Sequence, residues 1–152
     1  MARLKKAYTL VELFILLSIV AALTVIAVPR LKLDTLYRIK ADTVARKVVA
    51  DLMLTRALAI NNSATNVDGF AMNMLGSSPY TGYEIVNLDT SEVVDTYTVD
   101  SLISLTGGTP FQFGPLGNLL DGSATQLNVS SQGKTFTITV ISATGGVKCQ
   151  LN

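Results

Sequence analysis

Histidine and tryptophan are absent from the 152 residues, and cysteine occurs once, at Cys149. Without histidine the chain lacks the commonest general base and the commonest metal ligand. It therefore cannot build the usual nucleophile–histidine pairs of covalent catalysis. One cysteine excludes an internal disulfide and any zinc or iron–sulfur centre built on thiolates. Charge is also scarce: 15% of residues are charged against 49% apolar. That is greasy for a soluble domain, so some segment is expected to be buried in something other than its own core. The length suits one domain plus an extension.

A formal net charge of +1 conceals an uneven distribution. The first seven residues carry Arg3, Lys5 and Lys6 and no acid. Residues 30–56 hold seven basic residues against Asp34, Asp42 and Asp51. From Ala57 onward, Lys134 and Lys148 face seven carboxylates, a net of −5. The distal part is acidic, and acidic surfaces repel phosphate backbones.

Leu13–Val28 is a run of sixteen uncharged residues, and extended back to Tyr8 it reaches 21, interrupted only by Glu12. As a helix it would be about 30 Å long, enough to cross a hydrocarbon core. Basic residues precede it, so the positive-inside rule leaves Met1 in the cytoplasm and the distal chain outside. A secretory signal peptide would need a small-residue cleavage site after the apolar core, and Val28-Pro29-Arg30-Leu31 is a poor one. A plain membrane anchor accounts for length and orientation but leaves Glu12 without a partner in lipid.

The stretch Lys5-Lys6-Ala7-Tyr8-Thr9-Leu10-Val11-Glu12-Leu13, followed by an apolar run closed by Pro29, resembles the N-terminal signal of type IV pilins and type II secretion pseudopilins. The resemblance implies cleavage by a prepilin peptidase between Ala7 and Tyr8, with N-methylation of the new terminus at Tyr8. It also implies that Glu12 is an assembly residue, pairing with the terminal amine of a neighbouring subunit. Buried opposite charges neutralise one another only in register, so such a pair would align subunits. The sequence departs from the family in having Ala7 where glycine is usual and Tyr8 where phenylalanine is usual.

Past Pro29 the polarity changes while helical periodicity persists. Leu36, Ile39, Val44, Ala45, Val48, Val49, Leu52, Met53 and Leu58 predict one apolar stripe. Arg38, Lys40, Asp42, Arg46, Lys47, Asp51 and Arg56 are assigned to the opposite face. Pro29 predicts a kink, and Asn61-Asn62-Ser63 predicts the helix stop near Ile60. Residues 8–60 would form one kinked helix of about 80 Å. Beyond it, strands are expected at 67–74, 83–88, 93–99, 111–113, 126–130, 135–142 and 147–151, separated by glycine- and proline-containing turns. Such short spacings favour antiparallel hairpins. The expected class is α+β: a long N-terminal kinked helix, transmembrane then amphipathic, packed on a small antiparallel β domain as in the pilin fold. The expected organisation is a leader 1–7, a transmembrane or filament-core helix 8–28, an amphipathic helix 29–60 and a β domain 61–152.

Three further stretches, Leu54–Asn62, Phe111–Gly117 and Ser142–Lys148, resemble motifs of the GspH/FimT minor (pseudo)pilins. The implied function is a structural, minor or tip subunit of a type IV pilus or type II secretion pseudopilus. Implied partners are other pilin or pseudopilin subunits, prepilin peptidase, the inner-membrane assembly platform and, before assembly, membrane lipid. The implied location is the cytoplasmic membrane with the C-terminal domain outside, then a periplasmic or extracellular filament. Some members of that family take up DNA through basic residues on the last strand. Here Gly146 replaces the expected arginine and only Lys148 is basic, so nucleic acid is disfavoured as a partner. A major pilin is an alternative, although Cys149 alone cannot close the disulfide many of them have. No cofactor is expected. Calcium on Asp89, Glu92, Asp95, Asp100 and Asp121 is a weaker possibility, because their spacing does not match an EF-hand loop. A membrane-anchored periplasmic enzyme or binding domain is the alternative of a different class. Paired carboxylates such as Glu84 and Asp89, or Asp95 and Asp100, could serve it in principle, but they lie in short runs bounded by turns, where solvated acids are the default.

Overall fold

The computed structural model describes residues 9–27 and 33–152. Helix α1 covers Leu10–Ala27 and helix α2 covers Leu33–Asn61. Thr9 starts α1 as its cap, accepting the Glu12 backbone N–H on Oγ1 at 3.2 Å and the Leu13 N–H on its carbonyl at 3.2 Å. Thr9 and Glu12 stand at the two ends of the Thr-x-x-Glu spacing that favours helix starts. Two compact units divide the chain, Met1–Leu33 and Asp34–Asn152. The expected kink at Pro29 falls outside the described residues.

The second unit contains eight strands in two antiparallel sheets: β1 (Phe70–Leu75), β2 (Gly82–Asn87), β3 (Val93–Thr98), β4 (Ser104–Gly107), β5 (Phe111–Phe113), β6 (Gln126–Ser131), β7 (Lys134–Ile141) and β8 (Gly146–Leu151). One sheet has the order β3-β2-β1-β5 and the other β4-β6-β7-β8. The chain is thus α+β with all pairings antiparallel, as the short spacings predict. The β6–β7 turn consists of Gln132 and Gly133 with φ of 47° and 76°. Positive φ at both positions is the two-residue turn whose twist suits a hairpin.

The buried positions of α2 are Ala41, Val44, Ala45, Val48, Asp51, Leu52, Thr55 and Ala59, recurring at helical spacing along one face. The apolar ones share one core with Met72, Tyr83, Ile85, Phe111 and Phe113 of the first sheet and Leu105, Leu127, Val129, Ile138 and Val140 of the second.

Four expectations are corrected. Leu36, Ile39 and Met53, assigned to the core stripe, are exposed, at 58%, 58% and 50%. At 100° per residue, Ile39 lies about 180° around the helix from Val48. Asp51, assigned to the solvent face, is only 3% exposed, because it lies about 60° from Val48 and so inside the buried arc. Strand β4 was not expected, and β1 begins at Phe70 rather than Val67, which is exposed.

Candidate functional site

Of the residues singled out for processing and assembly, Glu12 is described. Ala7, Tyr8 and Pro29 lie outside the described residues. Glu12 sits in the first turn of α1, where its carboxylate is exposed and favoured by the positive end of the helix dipole. Every α1 side chain described, from Leu10 to Val25, is solvent-exposed, including Leu13, Phe14, Leu16, Leu17 and Leu23. Exposed apolar surface of this extent marks a contact surface. Among the described residues, no helix is long and apolar enough to cross a membrane. The 18 residues of α1 rise about 27 Å.

In the second unit, the three stretches compared with minor pseudopilins meet at one side chain. Arg56, one turn before the end of α2, donates its Nε–H to the carbonyl of Gly117 at 3.0 Å and to that of Thr144 at 3.1 Å. Gly117 ends a turn in which its N–H bonds to Gly114 O at 2.8 Å, and Thr144 belongs to the turn between β7 and β8. A cation placed between two backbone carbonyls satisfies acceptors that neither sheet can pair. Gly145 has φ of 63°, and a Cβ there would overlap the Gly117 carbonyl oxygen. Glycine at 145 therefore allows the two turns to touch.

A second polar group ties α2 to the first sheet. Asp51 accepts the Tyr83 hydroxyl at 2.6 Å and the Lys47 ammonium at 2.7 Å. The Tyr83 and Tyr97 rings lie 5.3 Å apart, and the Lys47 ammonium stands 5.7 Å from the Tyr97 ring centre. Burial, reinforced by the bond to Asp51, pushes the Tyr83 phenol far above its ordinary value. A buried carboxylate with both oxygens bonded is an anchor rather than a free base. Outside the core, Lys40 pairs with Asp100 at 2.9 Å, and this hydrogen bond holds the Asp100 carboxyl below the usual range.

The carboxylates considered for calcium do not gather: among the described residues, no three His, Cys, Asp or Glu side chains come close enough to hold a metal ion. Cys149 and Lys148 are exposed on β8, and partial desolvation of the thiol, most of whose residue remains open to solvent, raises Cys149. Composition and spacing did not single out Thr9, Asp51 or Tyr83. Thr9 was legible as the first member of a Thr-x-x-Glu cap, and Asp51 from its angle on the helical wheel. Tyr83 carried no local signal, since its partner is 32 positions away. No protein-family model, curated protein or solved structure matches the chain.

Proposed function

We propose that the chain is a structural subunit of a type IV pilus or type II secretion pseudopilus, most akin to the GspH/FimT minor subunits. The observation that carries this reading is α1: an apolar helix exposed on every described side, with a single carboxylate in its first turn. A surface of that kind needs lipid or other helices around it. The apolar sequence runs from Tyr8 to Val28, 21 residues or about 31 Å as a helix. That length allows residence in the cytoplasmic membrane before assembly. Glu12 then serves as the register contact with a neighbouring subunit's terminal amine.

The meeting of the three resemblance-bearing stretches at Arg56 supports the minor-subunit reading. Each is composed of ordinary turn and helix-end residues, yet together they make one clamp. Leu36, Ile39, Met53 and Leu54, exposed on α2, are further apolar contacts that the second unit offers to neighbouring subunits. We read the role as structural, with no catalytic residues and no resident cofactor.

Co-expression with a prepilin peptidase followed by N-terminal sequencing tests the reading. The expected product begins at Tyr8 with a methylated amine. A chain still starting at Met1, or cut after Ala27, removes the proposal. In the same cells, Glu12→Ala is expected to leave cleavage intact and to abolish incorporation into filaments. Incorporation at the wild-type level would remove the alignment role.

A further inference from the structure

A cleft of about 770 Å³ in the second unit opens between the segment following β3, the Pro79-Tyr80-Thr81 segment and the β6–β7 turn. Its volume falls within the range of about 300–1,000 Å³ typical of small-molecule sites. The lining is rich in hydroxyls. Some of them brace the walls: Tyr80 donates to Gly107 O at 2.9 Å, and Ser131 to Leu102 O at 3.1 Å. Thr98, Ser101, Ser104, Gln132 and Thr135 also line it, and their side chains make no hydrogen bond to other described residues. Leu102, 48% exposed, and Pro79 supply apolar surface beside them.

Charge narrows the ligand. Asp100 is the only acidic or basic residue in the lining, and its carboxylate is already taken by Lys40 at 2.9 Å and by the Leu102 N–H at 3.1 Å. An anionic or cationic ligand would find no complementary charge, so its desolvation would go uncompensated. An extended peptide is disfavoured as well. It would bind best by adding a strand to the edge of β4, and Tyr80 already occupies that edge, its N–H bonded to Leu105 O at 2.8 Å. What remains is a neutral molecule with many hydroxyls and an apolar C–H face. We infer that this cleft binds a neutral carbohydrate, with the free hydroxyls and the Gln132 amide bonding sugar hydroxyls and Leu102 and Pro79 lying against a ring face.

The test is a titration of the full chain, held in an amine-oxide detergent without sugar headgroups, with neutral tetrasaccharides of glucose, galactose and N-acetylglucosamine. Binding is read by saturation-transfer NMR. Saturable binding of at least one, at about millimolar affinity or tighter, is expected. Ser101→Ala and Gln132→Ala should each weaken it about fivefold, the loss of one hydrogen bond, with an unchanged melting temperature. Asp121→Ser, outside the cleft, should not alter it. Absence of saturable binding across the three sugars overturns the inference, as does binding that both cleft variants leave intact. Tighter binding of an oligogalacturonate or of a neutral serine-rich peptide would also overturn it. The outcome is independent of peptidase cleavage, so the two readings fail separately.

Discussion

Arg56 is a single side chain on which two turns depend, and its geometry distinguishes it from a surface cation. Replacing it with alanine leaves the carbonyls of Gly117 and Thr144 without their donor. We expect a loss of about 1–3 kcal/mol in urea unfolding of the full chain. Arg56→Lys should recover part of it, since an ammonium keeps the charge but lacks the planar fork. Tyr83 gives a second residue-level prediction, this time in pH. Its phenol is raised above the ordinary 10.0, so the fold favours the protonated form. That contribution is fully present below pH 10 and is lost as pH rises toward the folded value. Wild-type stability should fall above pH 10 by up to about 1.4 kcal/mol per unit from this group. Tyr83→Phe should be less stable at neutral pH and should lack that part of the alkaline slope. An equal slope in both proteins would contradict the assignment. The exposed Lys40–Asp100 pair is expected to contribute little to stability at either extreme.

At the scale of elements, α2 shows how a helix face is chosen. Its apolar residues spread over more than one face, and only those within about 60° of Val48 enter the core. Leu52 is fully buried while its neighbour Met53 is half exposed. Leu52→Ala should therefore cost about 2–5 kcal/mol in denaturant unfolding, and Met53→Ala about 0.5 kcal/mol or less. Similar losses for the two would mean that the helix is rotated from the described phase. Among the strands, β7 was the most legible, with Ile138 and Val140 buried and Thr139 outside. Thr137 departs from that alternation, being nearly buried and bonded to Asn128 Oδ1 at 2.9 Å. Strand β4 carries little sequence signal because its four residues, which end in Gly107, show too little alternation to stand out. Its Leu105 is nonetheless completely buried.

For the whole molecule, the distribution of charge and grease sets the expected behaviour. The apolar helix and basic residues stand at the N-terminal end, and the β domain is acidic. Duplex DNA should therefore show no mobility shift with the full chain at about 0.15 M salt, since phosphate binding needs several cations and is screened by salt. Salt-dependent retention would favour the DNA-uptake alternative. The sequence by itself determined the class and the order of parts: an apolar run with one carboxylate, an amphipathic helix, then antiparallel strands. These are periodic or compositional properties, written in neighbouring residues. The tertiary structure decided which face of α2 is buried, that Asp51 is an anchor, and that Arg56 joins the 114–117 turn to the β7–β8 turn. Those depend on partners 32 to 88 positions apart, and no local pattern encodes such a distance. The emptiness of hydroxyl pairing in the cleft beside β4 is of the same kind, visible only once three separate segments share one wall.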